Sequence, residues 1–148
     1  MNEKLLNKAA TYASRSEHCE SEVREKLIAW GATENEQEEI IEYLIDERYI
    51  DNQRYANSYT KDKFHFNHWG KYKISMMLRA KEIGNEEIEE ALSQIEDEEY
   101  INKLQQILKD KFRSIKYSSE YEKKGKLFKF AQSRGFESSA ISKIIDLI

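Results

Sequence analysis

One apolar register is written three times in this chain, 51 and then 53 residues apart, and no other feature constrains the fold as tightly. Val23, Leu27 and Gly31 fall in line with Ile74, Leu78 and Glu82, and again with Leu127, Ala131 and Gly135. The flanks keep step: Lys26, Met77 and Phe130; Trp30, Lys81 and Arg134; Ala32, Ile83 and Phe136. Apolar residues four apart, followed four later by a stopping position, describe one helix and its end. Repetition of that unit predicts a tandem array whose units bury against their neighbours and leave a long outer surface free.

Composition agrees with helices. The 148 residues include no proline and only 5 glycines, 35% are charged, and no period-2 run predicts a sheet. The expected fold is all-α: three tandem three-helix repeats forming an elongated, curved array, with units at 1–50, 51–96 and 97–148. Neither junction, at Ile50-Asp51 or Glu96-Asp97, contains glycine or proline, so adjacent units should be coupled.

Local signals place nine helices. The first runs from about Asn2 to Arg15 on Leu5, Leu6, Ala9 and Ala13. Cys19 to Glu22 has the form of a capping box with cysteine in the serine position, opening a second helix that Gly31 stops. Thr33 to Glu36 is a capping box for the third, on Ile40, Ile41, Leu44 and Ile45. Asp51 or Asn52 caps the fourth, which buries Tyr55, Ala56, Tyr59 and Phe64 before a turn from His65 to Gly70. Ile74, Met77 and Leu78 mark the fifth; Asn85 caps the sixth, with Ile88 and Leu92. Asp97 to Ile115 reads as the longest helix, on Ile101, Leu104, Leu108, Phe112 and Ile115. Ser119 with Glu122 opens a basic eighth helix ending at Gly135, and Ser138 or Ser139 begins the last, with Ile141, Ile144, Ile145 and Leu147.

Catalysis finds no footing. Cys19 is the single cysteine, so neither an internal disulfide nor a thiolate metal cluster can form, and it reads as a serine substitute at a cap. His18, His65 and His68 lack further ligands at metal-binding spacing and read as polar turn residues. There is no phosphate-cradling glycine loop and no nucleophile elbow. No cofactor, metal or small-molecule substrate is expected. No stretch approaches the ~18 apolar residues of a membrane span, and no leader is evident, so a soluble cytoplasmic protein is the expectation. Tyr55, Tyr59, Phe112, Phe130 and Phe136 sit at core spacing. Trp69 and Phe66 either staple the turn before Gly70 or present an anchor to a partner.

Charge is uneven. Residues 1–50 carry 6 basic against 12 acidic groups, 51–100 carry 7 against 11, and 101–148 carry 11 against 5. The position just before the first core residue of each middle helix reads Glu22, Lys73, Lys126, beside the stripe and toward solvent. Lys71, Arg79 and Lys81 accompany the second, and Lys123, Lys124, Lys129 and Arg134 the third. Such rows suit a phosphate backbone or the acidic lining of a protein groove.

The run Tyr49-Ile50-Asp51-Asn52-Gln53-Arg54-Tyr55-Ala56 resembles the aromatic–aliphatic–Asp–Asp–x–Arg–aromatic–Ala signature of the RecX family of bacterial recombinase regulators. Trp69-Gly70-Lys71 with Ile74, Leu78 and Lys81-Glu82-Ile83 is similar to that family's second-repeat helix. His18-Cys19-Glu20 with Glu22-Val23 and Lys26-Leu27 resembles the first-repeat helix, and Arg134-Gly135-Phe136 the third-repeat ending. The likeness covers about residues 9 to 148. It departs at Cys19, where serine is usual, at Asn52, where aspartate is, and at Glu82, where glycine is. The net charge of −4 also contrasts with the family's often basic members.

The resemblance implies a non-enzymatic modulator of RecA. It would bind the RecA filament on DNA, lie in its groove across neighbouring protomers, and reduce ATP hydrolysis, strand exchange and filament growth. It implies structural roles for Asp51, Arg54, Tyr55, Ala56 and Gly70, with Arg54 in an ion pair between units. The contact-bearing cations would be Lys71, Lys73, Arg79, Lys81, Lys123, Lys124, Lys126, Lys129 and Arg134. The alternative is direct binding to single- or double-stranded DNA, since three-helix units with a basic helix also resemble helix-turn-helix modules.

Overall fold

A computed structural model describes residues 1–148. The chain is all-helical: α1 Glu3–Arg15, α2 Glu20–Ala29, α3 Glu34–Asp46, α4 Asn52–His65, α5 Lys71–Ala80, α6 Asn85–Ser93, α7 Asp97–Phe112, α8 Glu120–Ser133 and α9 Ser138–Ile144, followed by a 3-10 turn, Ile145–Leu147. It divides into two compact units: Met1–Ser58 with Leu78–Glu90, and Tyr59–Met77 with Ala91–Ile148. Helices α4, α5 and α6 each give one end to each unit. That division also sorts charge. The first unit holds 9 basic against 18 acidic residues and the second 15 against 10, or −9 and +5.

In the first unit, α1, α2 and α3 bring Leu5, Ala9, Ala13, Val23, Leu27, Ile40, Ile41, Leu44 and Ile50 into one cluster. Each buried Leu or Ile contributes roughly 1.5–3 kcal/mol relative to exposure. The caps follow local chemistry. Asn2 accepts from the Leu5 amide at 3.1 Å, the Thr33 hydroxyl accepts from the Glu36 amide at 3.2 Å, and the Glu36 carboxylate accepts from the Thr33 amide at 3.0 Å. Asp51 caps α4, accepting from the Arg54 amide at 3.1 Å. Tyr55 and Ala56 are buried. Ile45, expected in the core, is exposed: it lies about 80–90° around α3 from the buried stripe of Gln37, Ile40, Ile41 and Leu44.

In the second unit Phe64, Ile74, Leu104, Leu108, Leu127, Ala131 and Ile141 are fully buried. Tyr100 lies between Phe64 (centroids 5.9 Å apart) and Phe136 (5.1 Å). In the α7 stripe Leu104 and Leu108 are buried as expected, but Tyr100 and Ile107 are buried while Ile101 is exposed, and α7 ends at Phe112, not Ile115. Met77 is exposed because Ser75, on the other side of Ile74 and Leu78, takes the inward position. Leu147, in the terminal 3-10 turn, is also exposed. The Ser119 hydroxyl accepts from the Glu122 amide at 3.1 Å, but the Glu122 carboxylate takes the amide and hydroxyl of Ser118 in place of the Ser119 amide.

All three middle helices close with the same paired bonds. Gly31, Glu82 and Gly135 take the left-handed conformation at φ +86°, +61° and +92°. Their amides donate to Ile28, Arg79 and Gln132, and the next amides, of Ala32, Ile83 and Phe136, donate to Leu27, Leu78 and Ala131. This is the Schellman ending, and it validates the 51- and 53-residue register bond for bond. The end of α3 repeats it with Arg48 at φ +62°, whose amide donates to Ile45 while that of Tyr49 donates to Leu44.

Candidate partner-binding surface

The first unit joins the start of α2 to the end of α5. The Ser21 hydroxyl donates to the Lys81 carbonyl at 2.7 Å, and the Glu20 amide donates to Asn52 Oδ1 at 3.0 Å. Glu22 receives the Cys19 amide at 3.2 Å, His18 Nδ1 at 3.1 Å and Lys81 Nζ at 3.1 Å. Burial opposes the Glu22 charge, but the Lys81, His18 and Cys19 donors outweigh it and hold the carboxyl below the usual range. The same ion pair raises Lys81. Cys19 is fully buried, and burial pushes its thiol up, away from reactivity. Arg54 holds the Glu17 carboxylate through Nε at 2.7 and 2.9 Å and reaches the carbonyls of Arg48 and Tyr49, both at 3.2 Å, after α3.

The second unit makes the corresponding joint between the start of α5 and the end of α8. The Gly70 amide donates to the Arg134 carbonyl at 2.7 Å, and that of Tyr72 to the Gly135 carbonyl at 3.0 Å. Between them the Lys71 amide donates to the Tyr100 hydroxyl at 2.9 Å, which itself donates to Glu137 at 2.5 Å. Burial, then the Glu137 bond, raise the Tyr100 phenol. The amides at the start of α5, which have no partner within their own helix, are thus satisfied across the joint. A Cβ on Gly70 would strike the Gly135 carbonyl and the Phe136 amide; one on Gly135 would strike the backbone of Lys73. Glycine is required at both for the close approach.

Where the first joint has the Glu22–Lys81 pair, the second has two cations, Lys73 and Arg134. Each lies over an aromatic ring: Lys73 over Trp69 at 4.5 Å and Arg134 over Phe130 at 5.2 Å. Trp69 also meets Lys63 at 4.9 Å and the edge of Tyr59 at 6.4 Å, so it staples the turn, whereas Phe66 is 79% exposed. Burial, then Lys103 and Arg134, lower the pKa of His68, which is left-handed at φ +57° and whose buried Nδ1 has no partner.

The other expected contact cations divide by partner. Lys124 pairs with Asp146 at 2.8 Å and Lys126 with Glu122 at 3.0 Å, Lys126 also donating to the Lys116 carbonyl. Lys123 is buried, paired with Glu120 at 3.1 Å over Phe112. Lys71 lies over Tyr100 at 4.9 Å. Lys129 is exposed on α8, and Arg79 is exposed on α5. Sequence reasoning missed a second cationic group, Lys8, Arg15 and Lys26, which faces a groove between α1 and α2. The available signal was Lys8 with Tyr12 and Lys26 with Trp30, each four apart on its helix.

No group of three or more His, Cys, Asp or Glu side chains is placed to hold a metal. No helix is long and apolar enough to cross a membrane.

Three family models match in chain order: the first three-helix domain of RecX over residues 6–44, the second over 51–92 and the third over 97–145. Among curated relatives, Regulatory protein RecX of Leuconostoc mesenteroides is 27% identical over 98% of this chain and 54% of its own length. That of Clostridium botulinum is 29% identical over 88% of this chain and 62% of its own. The chain therefore spans less than two thirds of these relatives. The crystal structure of RecX from Lactobacillus salivarius is similar at TM-score 0.90 and 28% identity, over 99% of this chain and 97% of that one.

Proposed function

Because the chain belongs to the RecX family, we propose that it regulates the RecA recombinase without itself catalysing a reaction. It would engage the RecA filament on DNA, within the filament groove, and lower ATP hydrolysis, strand exchange and filament growth. The observation that carries this reading is the match of all three RecX domains, in order, across nearly the whole chain. Three tandem segments, each making a weak contact with a repeating partner, gain by multivalency because later contacts are intramolecular. Affinity should then be far greater for filament than for free recombinase. In the second unit Lys71, Lys73, Lys129 and Arg134 are the cations best placed to make such contacts, since none is tied to a carboxylate; Lys123, Lys124 and Lys126 would have to leave one.

The test adds the purified chain to RecA on single-stranded DNA and follows ATP hydrolysis. A fall at stoichiometric amounts is expected, and no change overturns the reading. The +5 charge of the second unit favours direct DNA binding as a second reading. It requires duplex binding without RecA, weakening with salt at a log–log slope of about 0.9 per phosphate contact.

A further inference from the structure

The first unit carries −9, yet one of its surfaces is cationic. A groove of about 460 Å³ between α1 and α2 is lined by Asn7, Lys8, Thr11, Tyr12, Arg15, Lys26 and Trp30, with no carboxylate among them. Two rows build it. Asn7, Thr11 and Arg15 recur every four residues on α1, beside Lys8 and Tyr12, and Lys26 and Trp30 face them from α2. The lysines cross over: Lys8 Nζ lies 5.1 Å from the Trp30 ring centroid and Lys26 Nζ 5.3 Å from that of Tyr12. Lys8, Arg15 and Lys26 are exposed and make no ion pair, whereas other cations of this unit do: Arg24 with Glu20 and Glu38, Arg54 with Glu17, and Lys81 with Glu22. Glu22 and Glu25 act on Tyr12, whose phenol is raised first by burial and then by Glu22, but Lys81 already holds the Glu22 carboxylate.

We propose that this groove binds a compact polyphosphate, a nucleoside di- or triphosphate or its inorganic counterpart. Three positive side chains around one recess repel each other, and an anion of several charges converts that repulsion into attraction. The Asn7 amide and Thr11 hydroxyl add neutral donors, and Tyr12 and Trp30 supply flat apolar walls. The recess has the volume of a small-molecule site. A long polyanion is disfavoured, because beyond the groove it meets a unit whose other charges are 6 basic against 18 acidic. The inference is independent of RecA as a partner.

The full chain is titrated with ATP, ADP, inorganic triphosphate and, separately, a short oligothymidylate, with affinity read by calorimetry and location by amide chemical shifts. The expected result is triphosphate binding with shifts clustered on Lys8, Thr11, Arg15, Lys26 and Trp30. The double substitution Lys8→Gln with Lys26→Gln should weaken it more than about tenfold, since each lost charged contact is worth that order. Lys61→Gln with Lys109→Gln, an equal change in net charge elsewhere, should leave it intact. Melting curves of both variants confirm that they fold, and Arg15→Gln alone gives a milder form of the same test. Equal affinity for ATP and inorganic triphosphate supports the site with the phosphates as its ligand; tighter ATP supports it with the base included. The proposal is overturned by absent binding, by shifts centred elsewhere, by an undiminished double variant, or by oligothymidylate binding the groove more tightly than triphosphate.

Discussion

Ser21 and Lys81, sixty residues apart, share a 2.7 Å hydrogen bond from hydroxyl to carbonyl, while the Lys81 ammonium meets Glu22 at 3.1 Å. The start of one middle helix thereby completes the end of the next. In the second unit backbone amides take the same task, Gly70 and Tyr72 donating to Arg134 and Gly135. Side chains bridge where Cys19 stands; backbones touch where its counterpart is Gly70.

Ser21→Ala removes the short bond and leaves the Lys81 carbonyl facing Cys19 Sγ at 3.9 Å. A loss of about 1 kcal/mol is expected, read as a fall in Tm of roughly 2–4 °C for a chain this long.

Glu22 gives the first unit a dependence on acid. Its carboxyl is lowered in the folded chain, so the stabilisation is fully present above the ordinary glutamate value of 4.5 and is lost as pH falls through the lower folded value. Denaturant midpoints of wild type and Glu22→Gln, compared from pH 7 down to about pH 3, should converge as pH falls. Parallel curves would remove Glu22 from the account.

Two glycine substitutions should move stability in opposite directions. Gly70→Ala drives a methyl into backbone at Gly135 and Phe136, which cannot move aside as a side chain can. A loss of about 1–3 kcal/mol or more is expected. Gly125 lies within α8 with open space around it, so Gly125→Ala should add about 0.5–1 kcal/mol. Chemical denaturation of both variants checks the pair.

Glu82 and Arg48 occupy left-handed positions that glycine adopts without steric cost. Glu82→Gly should therefore raise stability by up to about 1 kcal/mol, and Arg48→Gly similarly. If neither variant melts higher than the wild type, the side chains are compensating the backbone strain.

Helix ends were the most legible part of the fold. Thr33 with Glu36, Ser119 and the Gly31, Glu82 and Gly135 register all act within a few residues, so their chemistry is written locally. Stripe edges were less legible: a 3.6-residue period admits Ile101 almost as readily as Tyr100, and only the Phe64 and Phe136 rings decide between them. The second joint left no trace, because an amide donating to a carbonyl has no side-chain signature, and the first pairs Ser21 and Glu22 with Lys81 about sixty residues away, beyond the reach of local pattern. The cationic surface was half legible. Lys129 could be placed on α8 and Arg134 at its end, but not the distant Asp146 that occupies Lys124, nor the crossing of α1 and α2 that gathers Lys8, Arg15 and Lys26.

Both joints are closed by residues translated later than the helices they complete. On the ribosome, α2 emerges with Ser21 still lacking its acceptor until Lys81 follows, and the first amides of α5 wait for Arg134 and Gly135. Synthesis from the N-terminus therefore delivers α2 and α5 unfinished, and their tertiary locking trails elongation by about sixty residues.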